Sequence, residues 1–149
     1  MQKSNIKNQN DNAKFKNFIS IEFPDNICAV YILYIQARSK EIPFYVGETN
    51  SLAERMGNYS KANFTASTDF KVGEAIKYFR EKDYKVIVKF KSTEKKKEEQ
   101  DNIIKDFQRT GLRLLNELRN YKYKLADIEE ERQKVREFCD VILKNNFAF

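Results

Sequence analysis

The chain has no histidine and no tryptophan, and only 4 glycines, 2 prolines and 2 cysteines among 149 residues. The missing histidine has the widest consequence. It removes Ser-His-Asp and Cys-His catalysis, and with them the metal nucleases that use histidine as general base. Any hydrolytic chemistry must therefore run on Tyr, Lys, Arg, Asp or Glu. So few glycines and prolines impose few breaks, which predicts long regular elements and short loops. Cys28 and Cys139 are too few for a disulfide framework or a cysteine zinc site. They read as buried free thiols in a reducing compartment, the cytoplasm. Long apolar runs are missing too: Cys28 to Ile35 and Val86 to Val88 fall far short of a bilayer span. Met1 to Lys16 is polar and carries no apolar leader stretch.

What is present is a globular composition, 41% hydrophobic and 13% aromatic against 34% charged. That length suits one domain with one core plus short extensions. The expected organisation is a flexible basic arm over residues 1–20, a domain over 21–120 and a C-terminal helix over 121–149. The net charge of +6 favours a polyanionic partner, because lysines and arginines release counterions when they meet phosphates.

Pro24-Asp25-Asn26 signals a turn. Ile27 to Gln36 is β-branched and aromatic and predicts a strand. A polar turn over Ala37 to Glu41 leads to a second strand, Ile42 to Val46, ending at Gly47, so the two should form an antiparallel hairpin. Thr49 or Asn50 can cap a short helix from Ser51 to about Tyr59, with Leu52 and Met56 facing the core. Phe70, Val72, Ile76 and Phe79 predict a second helix over Phe70 to Lys82. Val86 to Phe90 predicts a third strand. Thr93 can cap a helix that begins at Glu94 and runs through Ile103, Ile104 and Phe107 towards a stop at Gly111. In the last stretch, Leu125, Ile128, Val135, Cys139 and Ile142 recur at helical spacing, with Arg132 in the same stripe. That stripe suits either the domain's own core or a homodimer partner. The fold class expected is α/β in the α+β sense, a small three-stranded sheet flanked by helices.

Along these elements stand Ala29-Val30-Tyr31, Tyr45-Val46-Gly47, Thr49, Asn50-Ser51-Leu52-Ala53-Glu54-Arg55 and Tyr59, then Glu99 with Ile103, then Asn116. This order resembles the signature of the GIY-YIG nuclease superfamily, over roughly Ile27 to Asn116. The chain departs from it in having Ala29 where the family usually has glycine, a slightly long hairpin, and a generous interval between Glu99 and Asn116. The resemblance implies a metal-dependent endonuclease acting on DNA, of a restriction-like, mobile-element or defence kind. It implies catalytic roles for Tyr31, Tyr45, Arg55, Tyr59 and Glu99, with Gly47, Thr49 and Asn116 in support. It also implies one Mg²⁺ or Mn²⁺ ion held by Glu99, and Tyr31 as acceptor of the water's proton. The physical chemistry is compatible. Arg55 and Tyr59 are one helical turn apart, a guanidinium suits phosphate oxygens, and nearby cations favour a phenolate. Tyr31, Tyr45, Arg55 and Glu99 are expected to converge on one face.

Each residue also has a plainer reading. Tyrosines commonly fill strand faces, Arg55 alone would be a solvated helix residue, and Glu99 belongs to a charged run in which Glu98 is its adjacent rival. Asp83-Tyr84-Lys85, with Asp69 upstream, has the form of a competing nuclease class, PD-(D/E)xK. A third possibility keeps the fold and basic face but does not cut. Lys61, Lys71 and Lys85 are candidate phosphate contacts.

Overall fold

The computed structural model describes residues 27–61, 67–118 and 127–147; the anticipated N-terminal arm, the Pro24 turn and Leu125 lie outside them. Three strands, β1 (Ala29–Ala37), β2 (Lys40–Thr49) and β3 (Lys85–Ser92), form an antiparallel sheet in the order β2-β1-β3. Four helices flank it: α1 (Leu52–Lys61), α2 (Ser67–Glu81), α3 (Lys96–Arg109) and α4 (Ile128–Asn146). The α+β fold expected from the sequence is the one found.

Central β1 is covered on both faces, which is why its sequence is an unbroken apolar run instead of an alternation. Tyr31, Leu33 and Ile35 face the larger core, with Leu52, Met56 and Tyr59 of α1, Ala75, Ile76 and Phe79 of α2, and Val135, Cys139 and Ile142 of α4. Val30, Ile32 and Tyr34 face the smaller one, with Val46, Ile87 and Ile103 of α3. The sheet thus separates α1, α2 and α4 from α3.

β2 and β3 are longer than expected and the hairpin is tighter. Only Arg38 and Ser39 turn the chain, at φ 54° and 66°, the left-handed pair that a two-residue hairpin needs. Leu33 pairs with Tyr45 and Tyr34 with Pro43, so Phe44 is an extra residue and β2 is bulged there. Phe44 and Tyr45 consequently both join the larger core. Pro43 is tolerated because β2 is an edge strand. α3 starts at Lys96, later than the Thr93 cap predicts; the Thr93 hydroxyl instead accepts the Lys95 amide at 3.1 Å. Its expected end holds, with Gly111 at φ 85°.

The α4 stripe is used within the chain. Val135, Phe138, Cys139, Ile142 and Leu143 are buried, and Glu74 of α2, 1% exposed, receives Arg132 and Arg136 at 3.1 Å each. A homodimer through that stripe would have to displace this packing. Cys139 is a buried free thiol as expected, whereas Cys28 is only half-buried. Among the described residues no helix is long and apolar enough to cross a membrane.

Candidate active site

Tyr31 pairs with Gly47 across the hairpin, and its ring lies over that glycine. A Cβ on residue 47 would overlap Cζ and the hydroxyl of Tyr31, so only glycine allows the ring this position. Tyr45 reaches the same face two residues along, and Tyr59 comes down from α1. The three rings form a near-equilateral triangle with centroid separations of 6.3, 6.3 and 6.4 Å. The Tyr31 and Tyr59 hydroxyls are hydrogen-bonded to each other. Arg55, one turn before Tyr59, stands beside them and pairs with Asp69 at the start of α2, Nη1 to Oδ1, 3.2 Å.

Protonation departs from expectation. Burial pushes the Tyr31 phenol well above its usual value, with Tyr45 adding to the rise; the hydrogen bond from Tyr59 and the charge of Arg55 only partly oppose it. Burial likewise raises Tyr59 well above the ordinary phenol value, and it raises Tyr45 as well. A nearby cation favours a phenolate, but here desolvation outweighs it. The three groups are neutral phenols that can donate hydrogen bonds. The cluster meets solvent at Arg55 and Asp69, whose side chains are 33% and 13% exposed, while Tyr31 and Tyr59 are each 1% exposed.

The supporting residues have clear tasks. Asn116 clamps the open edge of β2: its Oδ1 accepts the Val46 amide at 2.9 Å and its Nδ2 donates to the Val46 carbonyl at 2.7 Å. Gln100 of α3 donates to the same carbonyl at 3.3 Å. The backbone between Tyr45 and Gly47 is thereby fixed, and an exposed strand edge is closed. The Thr49 hydroxyl accepts the Ser51 amide at 3.1 Å, shaping the turn into α1.

Glu99 lies elsewhere. Its Oε1 takes the Lys91 ammonium at 2.6 Å, and Lys91 pairs with Val30, a residue of the smaller core. Beside it Lys96 of α3 pairs with Glu48, the other cross-strand partner of Val30. Glu48, Val30 and Lys91 thus form a row beneath the first turn of α3, on the side of the sheet away from the phenols. The expected convergence of Glu99 with Tyr31, Tyr45 and Arg55 on one face is therefore not found. The reason is that α3 packs opposite α1, leaving the whole sheet between them. Hydrogen bonds from Lys91 and Thr93 hold the Glu99 carboxyl below its ordinary value. Its Oε2 is buried and has no hydrogen-bond partner among the described residues, which suits one ligand to a hydrated cation. Among the described residues no group of three or more His, Cys, Asp or Glu side chains could hold a metal. Glu98, the rival, is exposed.

The remaining candidates separate. Lys71 is not a surface contact; it is 2% exposed, donates to the Leu118 carbonyl at 2.9 Å, and burial lowers its ammonium to about 8. Lys85 is exposed at the hairpin end, paired with Gln36, about 17 Å along β1 from Tyr31. The side chain of Lys61 lies outside the described residues. Asp69 and Asp83 stand at opposite ends of α2, about 20 Å apart along its axis, so Asp69, Asp83 and Lys85 do not gather around one ion. Asp69 at Arg55 is the carboxylate that the sequence did not assign to this site. It had no signal, because only the packing of α1 on α2 brings it to Arg55. The chain matches no family model, no curated protein and no solved structure.

Proposed function

We propose that the chain is a GIY-YIG-like endonuclease that hydrolyses nucleic-acid phosphodiester bonds, with DNA as its substrate. One observation carries the reading. Tyr31, Tyr45, Tyr59 and Arg55, to which the resemblance points, meet in one cluster, and Gly47 makes room for it. Hydrolysis of a phosphodiester needs charge complementarity to the phosphate and stabilisation of the leaving oxygen. Arg55 supplies the first through its fork of N–H groups. The phenols supply hydrogen bonds to the attacking water and the departing oxygen. As neutral groups they orient and donate; Tyr31 as proton acceptor is opposed by its burial. Glu99 Oε2 would be one ligand to a divalent ion, but it is across the sheet from Arg55, so such an ion would not share the phosphate that Arg55 binds, and the residue roles above do not depend on it.

A non-cleaving nucleic-acid module is the second reading, favoured by the buried, protonated phenols and by the pairing of Glu99 with Lys91. One experiment separates them. Plasmid, linear duplex, single-stranded DNA and RNA are incubated with Mg²⁺ or EDTA, for the parent, Tyr31→Phe, Arg55→Ala and Lys85→Ala. The nuclease reading expects Mg²⁺-dependent cleavage, lost by about 10²-fold or more in Tyr31→Phe with affinity kept. Arg55→Ala should lose at least as much, and Lys85→Ala should only weaken binding. A fully active Tyr31→Phe sinks the assignment. Binding without cleavage in the parent leaves the module.

A further inference from the structure

We propose that Asp69 is an internal stand-in for the ligand's phosphate: its carboxylate occupies the Arg55 guanidinium in the free protein, and a bound phosphodiester displaces it. This rests on the reading of Arg55 as the phosphate contact. The ion pair is built for exchange. It is a single contact of 3.2 Å, whereas a charge-assisted Arg–carboxylate bond is ordinarily shorter, about 2.7–2.9 Å, and often bidentate. Arg55 is a third exposed, so the pair lies where the cluster meets solvent. The two partners also depend on each other unequally. Asp69 sits in the first turn of α2, where the helix dipole stabilises a carboxylate without any arginine. Arg55 has three neutral phenols around it, and Asp69 is the carboxylate it pairs with. An anion with two oxygens to offer the fork, as a phosphodiester has, satisfies Arg55 better than one carboxylate oxygen does. Asp69 loses little when that happens. The predicted ligand is therefore an anion with paired oxygens, and the carboxylate sets a threshold that weak or monodentate anions do not cross.

The test uses Asp69→Asn, Arg55→Ala and the double variant, with binding of a labelled 20-base-pair DNA duplex measured in EDTA at fixed salt, so that no cleavage interferes. Arg55 Nε–H is followed by NMR during titration with inorganic phosphate and with the duplex. Asp69→Asn should bind the duplex about 2- to 5-fold more tightly, the factor an exposed ion pair is worth. That gain should vanish when Arg55 is also replaced. The Arg55 resonance should move at a lower phosphate concentration in Asp69→Asn than in the parent. Weaker binding by Asp69→Asn would make Asp69 a holder of Arg55 and overturn the proposal. So would an unchanged affinity, a gain that persists without Arg55, or an Arg55 resonance that ignores both probes. A parent that binds but does not cut would remove the nuclease reading and leave this one standing.

Discussion

Gly47 and Tyr31 are the pair on which the site turns. The ring of Tyr31 is buried and hydrogen-bonded to Tyr59, so it cannot swing away from a methyl group added at residue 47. Gly47→Ala should therefore destabilise the chain by about 1–3 kcal/mol, the range for overpacking a well-filled core. Urea denaturation reads this, and an unchanged midpoint would mean that the ring has room to move. Cleavage, if present, should fall with it, because the hydroxyl of Tyr31 would be displaced. At this scale the sequence carried the identities well and the chemistry poorly. Tyr31, Tyr45 and Arg55 could be picked out by the resemblance of their order and spacing to a family signature. The protonation of the phenols could not, since it follows from how α1 and α2 close over them. Lys71 illustrates the same limit: a lysine between Phe70 and Val72 looks exposed until its helix is packed.

Among the elements, α4 is held to α2 by a charge clasp as well as by its apolar stripe. Glu74 is 1% exposed, while Arg132 and Arg136 are 28% and 31% exposed. The two ways of breaking the clasp should differ. Glu74→Gln leaves two guanidiniums that can turn to water, at a cost of about 1–3 kcal/mol. Replacing both arginines by alanine leaves a buried carboxylate without those partners, at about 3–5 kcal/mol. Urea titrations of the two variants should rank in that order; the reverse ranking would mean that Glu74 reaches water when α4 loosens. The periodicity of α4 was readable in advance, and so was Arg132 within its stripe. Its partner Glu74 was not, because one residue of an amphipathic pattern does not say which helix it will meet. The hairpin was misjudged for a different reason. Arg38-Ser39 lacks the Asn-Gly or Asp-Gly that usually marks a two-residue turn, so the turn looked longer and β2 shorter than they are.

Across the whole molecule the sheet divides the chemistry. The phenols, Arg55 and Asp69 lie on the side of α1 and α2, and Glu99 with Lys91 lies under α3. Strand order and helix sides are tertiary facts, which is why spacing alone suggested one face for all four residues. This division has a measurable consequence for pairs of substitutions. Tyr31→Phe and Glu99→Gln touch no common partner, so their stability effects should add to within about 0.5 kcal/mol. Tyr31→Phe and Tyr59→Phe remove two ends of one hydrogen bond, and the double variant should cost less than the sum by about 0.5–1.5 kcal/mol. Cleavage rates answer a separate question. Groups that act as one catalytic unit are not additive, so a double Tyr31→Phe, Glu99→Gln variant no slower than the worse single would place Glu99 in the reaction despite the intervening sheet. Losses that simply multiply would make Glu99 a prop for α3, acting through Lys91. Stability coupling above about 0.5 kcal/mol between Tyr31 and Glu99 would contradict the two-layer division itself.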